Sequence, residues 1–403
     1  MKLLYIFLDS TRSSGVVNKV RKKITFLNDS GIETVGIFLN RHIQEARFDK
    51  QERIVYVPFP APEPASIFNR RFFRNYKWYF ALRKNAKQQF GLLQKEMSRH
   101  DPDLILFRYP LSGPFLLKLV KRYPGRIVFE HNTKEPEELA GRAGAGKGAA
   151  FLHRQEIKYG PRVLEKAAGI IGVTDEIRDY ELFRCNNRVK HSATISNAID
   201  FSSVPLRTPP VFDGSSLHLL FLCGSDVPWH GEDRLIKGMQ AYTGPVNIKL
   251  FLLGNVPSSS KKLVNDLHMH SQGIFVNEVR GAELESYFER VHLGVGTLAL
   301  HRKNLTEAAS LKVRDYAARG LPFMLAYHDK DVEQNEGLLP FRLRLEEGEE
   351  PVHMETVIDF VRRIQAIPGA ASQMRNAARA TMDIGVKMGA LRNFLIQVND
   401  SKK

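Results

Sequence analysis

The chain opens Met-Lys-Leu-Leu-Tyr-Ile-Phe-Leu, an apolar run closed by Asp9, and comparable short runs recur to its end. A run apolar on both faces predicts a strand covered on both sides, the habit of parallel sheets under helices. In the first half such strands are predicted at residues 3–8, Thr34–Leu39, Arg53–Val57, Leu104–Phe107, Arg126–Phe129, Gly169–Val173 and Ala193–Ile195. Between the first two, Val16, Val20, Ile24 and Leu27 recur at helical spacing among Lys19, Arg21, Lys22 and Lys23, and Gly31 stops the helix. Further helices are expected at Phe115–Lys121, through Leu164 to Ala168 and at Thr174–Phe183. Residues 134–150, rich in Gly, Ala and Glu, read as a mobile loop.

Asn197-Ala198-Ile199-Asp200, followed by Pro205, Pro209 and Pro210, reads as a linker, after which the pattern restarts. Strand Leu217–Cys223, loop Gly224–Gly231, helix Glu232–Tyr242 and strand Val246–Leu253 are followed by strand Ile274–Val276 and helix Ala282–Arg290. The run Val291–Leu300, broken by Gly294 and Gly296, leads through a polar loop into a helix. That helix turns Leu311, Val313, Tyr316 and Ala317 to a core and stops at Gly320. Strands alternating with helices predict an α/β protein of two doubly wound Rossmann-like domains, residues 1–197 and 198–384, facing a central cleft. A C-terminal helix at about 385–403 is expected to pack back on the first domain.

Composition agrees with two cores: 403 residues, 43% hydrophobic, exceed one ordinary domain. Charge adds an asymmetry. Residues 1–199 hold 35 Lys+Arg against 20 Asp+Glu and the remainder 24 against 24, so the excess of +15 lies in the first half and points to an anionic partner there. Cys185 and Cys223, far apart, make neither a disulfide framework nor a cysteine zinc site. The opening run is too short for a secretory signal, and no stretch approaches the roughly 20 apolar residues that span a bilayer.

Candidate chemistry centres on Glu307 and Asp315, eight positions apart, with Lys312 and Arg314 between them. A helix start at Ser310, Leu311 and Lys312 turns unsatisfied N–H groups and the positive end of the helix dipole toward an anion, with Glu307 alongside. That suits a phosphate joined to something rich in hydroxyls. The plainer reading of both carboxylates is a solvated helix end paired with a nearby Lys or Arg. His131, in Glu130-His131-Asn132 after a strand, could equally be a histidine bonded to backbone. Gly141 to Gly148 has the Gly-x4-Gly-Lys spacing of a P-loop but lacks the following Ser/Thr and a leading strand. Asp101-Pro102-Asp103 and Asp329-Lys330-Asp331 lack further ligands nearby, so no metal site is expected. From Ile67 to Lys84, Arg70, Arg71, Arg74 and Lys77 alternate with aromatics including Trp78. Such a stretch could stack nucleobases, bury its rings in the first domain, or lie among lipid headgroups.

Several stretches, in their order, resemble the retaining GT-B glycosyltransferases of the glycogen-synthase-like (group 1) family. They are Ser14-Gly15, Phe129-Glu130-His131-Asn132, Ser196 to Asp200, Gly224 to Gly231, and Glu307 to Pro322. The last is similar to the family's Glu-x7-Glu motif with its trailing Ala-x-Gly-x-Pro. The resemblance implies that Glu307 meets the donor sugar, that Asp315, shorter than the family's Glu, takes the ribose hydroxyls, and that His131 lies against sugar and phosphate. Gly15 falls where diphosphate and acceptor meet; Ser310, Leu311, Gly224, Ser225 and His230 fall in the donor site. Members carry an Arg and a Lys where this chain has Ser225 and His230, so Lys312, helped by Arg302 or Lys303, is expected to hold the diphosphate. The implied activity moves a sugar with retention from a UDP- or GDP-sugar to a hydroxyl of a glycan or lipid-linked glycan, in surface polysaccharide or glycoconjugate assembly, without cofactor or essential metal. The implied setting is cytoplasmic and peripheral, with Arg70, Arg71, Arg74, Lys77 and Trp78 at the acceptor or an anionic membrane surface, and nucleic acid is not an expected partner. The rivals are a nucleotide-sugar 2-epimerase of the same fold and a non-catalytic binding protein.

Overall fold

β1 (Lys2–Phe7) is buried at every position after Lys2, and this two-sided burial makes it a central strand. It pairs in parallel with β2 (Glu33–Asn40) on one side and β5 (Leu104–Arg108) on the other, Leu4 standing opposite Val35 and Ile105. The computed structural model describes residues 1–8, 15–40, 45–58, 87, 88, 90–143, 147–187, 189–224, 227–269, 274–277 and 282–402. With β3 (Arg47–Asp49), β4 (Ile54–Pro58), β6 (Ile127–His131), β7 (Gly169–Gly172) and β8 (His191–Thr194), these strands form an eight-stranded sheet. Its order is β3-β4-β2-β1-β5-β6-β7-β8, and only β3 runs antiparallel to its neighbour. A second, wholly parallel sheet of six strands has the order β11-β10-β9-β12-β13-β14. It contains β9 (Ser216–Cys223), β10 (Asn247–Gly254), β11 (Ile274–Asn277), β12 (Leu293–Val295), β13 (Phe323–Leu325) and β14 (Arg342–Arg344).

The chain divides into two units: Met1–Ile195 with Met388–Lys403, and Ser196–Lys387. The C-terminal helix Ile384–Asp400 therefore begins in the second unit and ends in the first. There Arg392 Nε donates to the Ser30 carbonyl at 3.0 Å, and Phe394 and Val398 pack over Gly169 on β7.

Two sequence expectations change. Residues 134–150 are mostly helical, Glu135–Ala143 and Lys147–Lys166, because Glu135, Glu137 and Glu138 in the first turn complement the helix dipole and alanines outweigh the glycines. The P-loop-like spacing accordingly runs from one helix into the next, with no strand leading into it. The run Val291–Leu300 yields only the short β12, followed by a 3-10 turn at Leu300–Lys303. Its Gly294 is a packing site: a Cβ there would stand 2.5 Å from the Tyr316 ring, so the helix Leu311–Arg319 lies directly on β12.

Among the described residues, the most buried charge in the second unit is on that same helix. Arg314 is fully buried, bonded through NH1 and NH2 to Asp329, through NH2 to Asp331 at 2.6 Å and through Nε to the Asn197 carbonyl at 3.1 Å. Asp331 also accepts from Ser196 Oγ at 2.6 Å and Lys387 Nζ at 2.5 Å. The Asp-x-Asp pair is thus the countercharge of a guanidinium, and Asn197, where the apparent linker starts, is bonded into the second unit together with Ser196 before it.

Candidate active site

In the second sheet the chain runs outward through β9, β10 and β11, then returns beside β9 to start β12. Where strand order reverses, the loops leaving the C-terminal strand ends part and leave a crevice. From β9 come Gly224 and the 3-10 turn Pro228–His230; from β12 come the Leu300–Lys303 turn, Glu307 and the Leu311–Arg319 helix. The two loops are stitched by Leu298 N–H to the His230 carbonyl at 2.8 Å and Ala299 N–H to the Trp229 carbonyl at 3.3 Å. Gly231, at φ 77°, permits this: a Cβ there would come 2.9 Å from Ala299 N. A cavity of about 320 Å³, lined mainly by apolar groups of Pro209, Val211, Pro322 and Ile364, lies at the opposite strand ends, beside His292 just before β12.

Lys312, in the first turn of the Leu311–Arg319 helix, reaches across to β9. Its Nζ sits 4.7 Å from the Phe221 ring centroid, buried and without a hydrogen-bond partner among the described residues, while part of its stem reaches the surface. Burial pulls its pKa down to about 8, against the attraction of Cys223 and Glu232. Burial, then Lys312, likewise holds the neighbouring His230 below the usual histidine range; its Nδ1 lies 3.3 Å from Glu232 Oε1. Ser310 is the N-cap, but its side chain makes no capping bond to the first turn at Leu311 and Lys312. A buried ammonium in the first turn of a helix, at the positive end of its dipole, is a combination that can hold an anion.

Glu307 stands beside this helix start, half-buried, in a loop pinned by Ala308 N–H to the His328 carbonyl at 3.0 Å. Asp315 is bonded by Arg319 Nε at 3.1 Å; burial raises its carboxyl and Arg319 opposes this. Arg319 is itself held by Glu285 at 2.6 and 2.8 Å. Arg302, an expected diphosphate partner, has its guanidinium committed to Asp233 at 2.8 and 2.9 Å and to Glu349. Lys303 lies over the Trp229 ring at 4.8 Å. Ser225, Arg70, Arg71, Arg74, Lys77 and Trp78 fall outside the described residues.

In the first sheet the order reverses between β1 and β5. Gly15 opens the helix that follows β1, and His131 ends β6. His131 is wholly buried, its ring 4.1 Å from that of Tyr109 and tilted by 30°. Nδ1 lies 3.0 Å from Glu135 Oε2 and 3.8 Å from Glu181 Oε1; Nε2 has no hydrogen-bond partner among the described residues. Behind it Arg184 bonds Glu181 and Glu156, each at 2.7 Å, and Glu156 accepts from Tyr109 at 2.8 Å and Ser112 N–H at 2.6 Å. Next to His131, Glu130 accepts from Tyr5 at 2.5 Å and Lys23 at 2.7 Å. Burial would push Glu130 up, but Lys23, Lys19 and Arg108 together hold it well below the carboxylate range.

Sequence reasoning missed these partners. Glu135, four residues after His131, was within reach of inspection; Glu156 comes from a second helix and Glu181 with Arg184 from a third, and they give no local signal. His131, Glu135 and Glu181 are the one grouping among the described residues with the donor types and closeness of an ion site. Nδ1 is already hydrogen-bonded to Glu135 and Glu181 to Arg184, so the set as built shares protons. Burial raises Glu135 to about 8 and Glu181 to about 7. A carboxyl raised on folding binds its proton more tightly in the folded state, so its contribution to stability falls as pH rises from about 4.5 to about 8. Glu135→Gln is therefore expected to gain roughly 2 kcal/mol over the natural protein between pH 6 and pH 9. Urea titrations at the two pH values measure it, and equal slopes would contradict the assignment.

No family model and no curated protein matches the chain. Solved structures do match in fold. Sucrose-phosphate synthase from Thermosynechococcus elongatus superposes with TM-score 0.69 at 13% identity over 99% of both chains. The lipopolysaccharide outer core galactosyltransferase WaaB, in its apo form, does so with TM-score 0.64 at 13% identity, over 98% of this chain and 99% of that one. Anabaena HepE in complex with UDP-glucose gives TM-score 0.61 at 13% identity, over 98% and 100%. The likeness is one of fold: two parallel-sheet α/β units, as in GT-B glycosyltransferases. No helix among the described residues is long and apolar enough to cross a membrane.

Proposed function

We propose that the protein is a retaining glycosyltransferase that moves a sugar from a UDP- or GDP-sugar to a hydroxyl of a glycan or lipid-linked glycan. The observation carrying this reading is the buried Lys312 ammonium, lacking a hydrogen-bond partner among the described residues, in the first turn of a helix that follows Glu307. A nucleotide diphosphate fits it: Lys312 and the first-turn amides take the phosphates, Glu307 the sugar hydroxyls, and Asp315, on the same helix, the ribose. The resemblance gives His131 and Gly15 a part toward the donor sugar and its diphosphate. Leaving-group charge is then stabilised by fixed donors, so no metal is required. The departing phosphate oxygen accepts the acceptor's hydroxyl proton as the new glycosidic bond forms on the same face, so no strong protein base is needed. The UDP-glucose complex of HepE supports a UDP-sugar donor. The positive first half of the chain favours an anionic or lipid-borne acceptor, reached from the cytoplasmic face as a peripheral protein.

Melting curves with UDP- and GDP-sugars are expected to show a rise with one donor class, since a ligand of the folded state stabilises it. Glu307→Ala is expected to retain that rise and to lose transfer by roughly 100-fold, the scale set by one lost transition-state contact. Turnover unchanged in that variant would sink the role of Glu307. Asp315→Ala is expected to weaken nucleotide binding roughly tenfold, as for a lost charged hydrogen bond, and equal affinity by calorimetry would remove the ribose assignment. Appearance of an epimerised nucleotide sugar without acceptor would favour the 2-epimerase reading instead.

A further inference from the structure

Nδ1 of His131 and Oε2 of Glu135, 3.0 Å apart and buried, form a pair with one shared proton when the carboxyl is ionised. In that state Nδ1 donates, and Nε2 carries a bare lone pair with no protein partner among the described residues. If the pair takes up one further proton, Nε2 is open to receive it, whichever side of the Nδ1–Oε2 contact the shared proton occupies. The donor or acceptor character of Nε2 is thus governed from the opposite ring nitrogen. The groups surrounding the pair come from four helical and strand elements. Tyr109 follows β5 and Glu130 precedes His131 on β6. Glu156 lies on the Lys147–Lys166 helix, Glu181 and Arg184 on the Asp175–Arg184 helix, and Glu138 one turn from Glu135. Arg184 neutralises only part of the charge of Glu156 and Glu181. Glu181 Oε1, buried and without a hydrogen-bond partner among the described residues, faces Nδ1 at 3.8 Å.

We propose that Glu135 and Glu181 are positioning residues that set whether Nε2 of His131 is protonated, and so whether it meets a bound hydroxyl-bearing molecule as donor or acceptor. Glu135 holds the shared proton; Glu181 adds negative charge that strengthens the pair's hold on a second one. The consequence for turnover rests on the glycosyltransferase reading, but the protonation state does not. Burial raises Glu135 to about 8 and holds His131 below the usual histidine range, so below that pH the carboxyl keeps the second proton, donates it to Nδ1 and leaves the ring proton on Nε2; above it Nδ1 carries the ring proton and Nε2 accepts.

The test is a 15N–1H correlation spectrum of the histidine rings of the full chain from pH 6 to 9.5, with the His131 signals assigned from His131→Asn. The expected result is a change of Nε2 from protonated to unprotonated as pH rises through about 8. Glu181→Gln should move that midpoint lower, and Glu135→Gln should abolish the transition. Transfer measured in parallel should show the same midpoint in kcat/KM for the natural protein and none for Glu135→Gln. An Nε2 protonation state unchanged across the range, a midpoint indifferent to both substitutions, or a stoichiometric divalent cation bound to His131 in the purified protein would overturn the proposal. If the spectra behave as expected and no donor sugar is transferred, the functional reading fails and this inference stands.

Discussion

Arg314→Ala is expected to destabilise the second unit by about 3–5 kcal/mol, the usual cost of removing one partner from a buried ion pair. The cause is less the lost bonds than what remains: Asp329 and Asp331, held by the guanidinium, are left in a dry interior with Lys387 as the cation still bonded to Asp331. Urea unfolding read by tryptophan fluorescence measures the loss. The triple change Arg314→Leu, Asp329→Asn and Asp331→Asn should recover most of it, because the expense lies in the unpaired charge. A single substitution costing under about 1 kcal/mol, the size of an exposed pair, would mean that water reaches the site.

Lys312→Met should act in two opposite directions. An amine with a folded pKa of about 8 against an ordinary 10.5 costs stability in full below pH 8, and that cost fades as pH rises toward 10.5. Methionine of similar length removes it, so at pH 7 the unliganded variant should be more stable by about 3 kcal/mol. The same change should weaken donor affinity roughly 10- to 100-fold, the scale of a hydrogen bond to a charged group. Calorimetric melting and titration with UDP or GDP read the two effects separately. A variant that melts lower, or binds as tightly, would show that Lys312 is a structural cation with no anion to meet.

The alternation of strands and helices was legible because it is written in burial on both faces, as in Leu104–Phe107, and in the helical spacing of Val16 to Leu27. The helix start at Ser310–Lys312 and its neighbour Glu307 were legible for a similar reason: cap, charge and apolar face lie within a dozen residues. What escaped was long-range or against statistical habit. Arg314 reads as a surface position, since arginine is rarely buried unless paired, and its partners lie fifteen and more residues on. The three-residue edge strands β3 and β14 carry too few apolar positions to register, and the arginines flanking Leu343 suggest a loop. The carboxyls behind His131 converge from three helices that only the folded sheet brings together.

The division of the chain has a temporal side. The second unit is one unbroken stretch, Ser196 to Lys387, whereas the first is complete only with Met388–Lys403. On the ribosome the later half can therefore finish folding before the earlier half, whose β7 waits for Phe394 and Val398 to emerge. Residues 196–387 expressed alone should yield a folded nucleotide binder, while residues 1–195 should need the terminal helix supplied as a separate peptide.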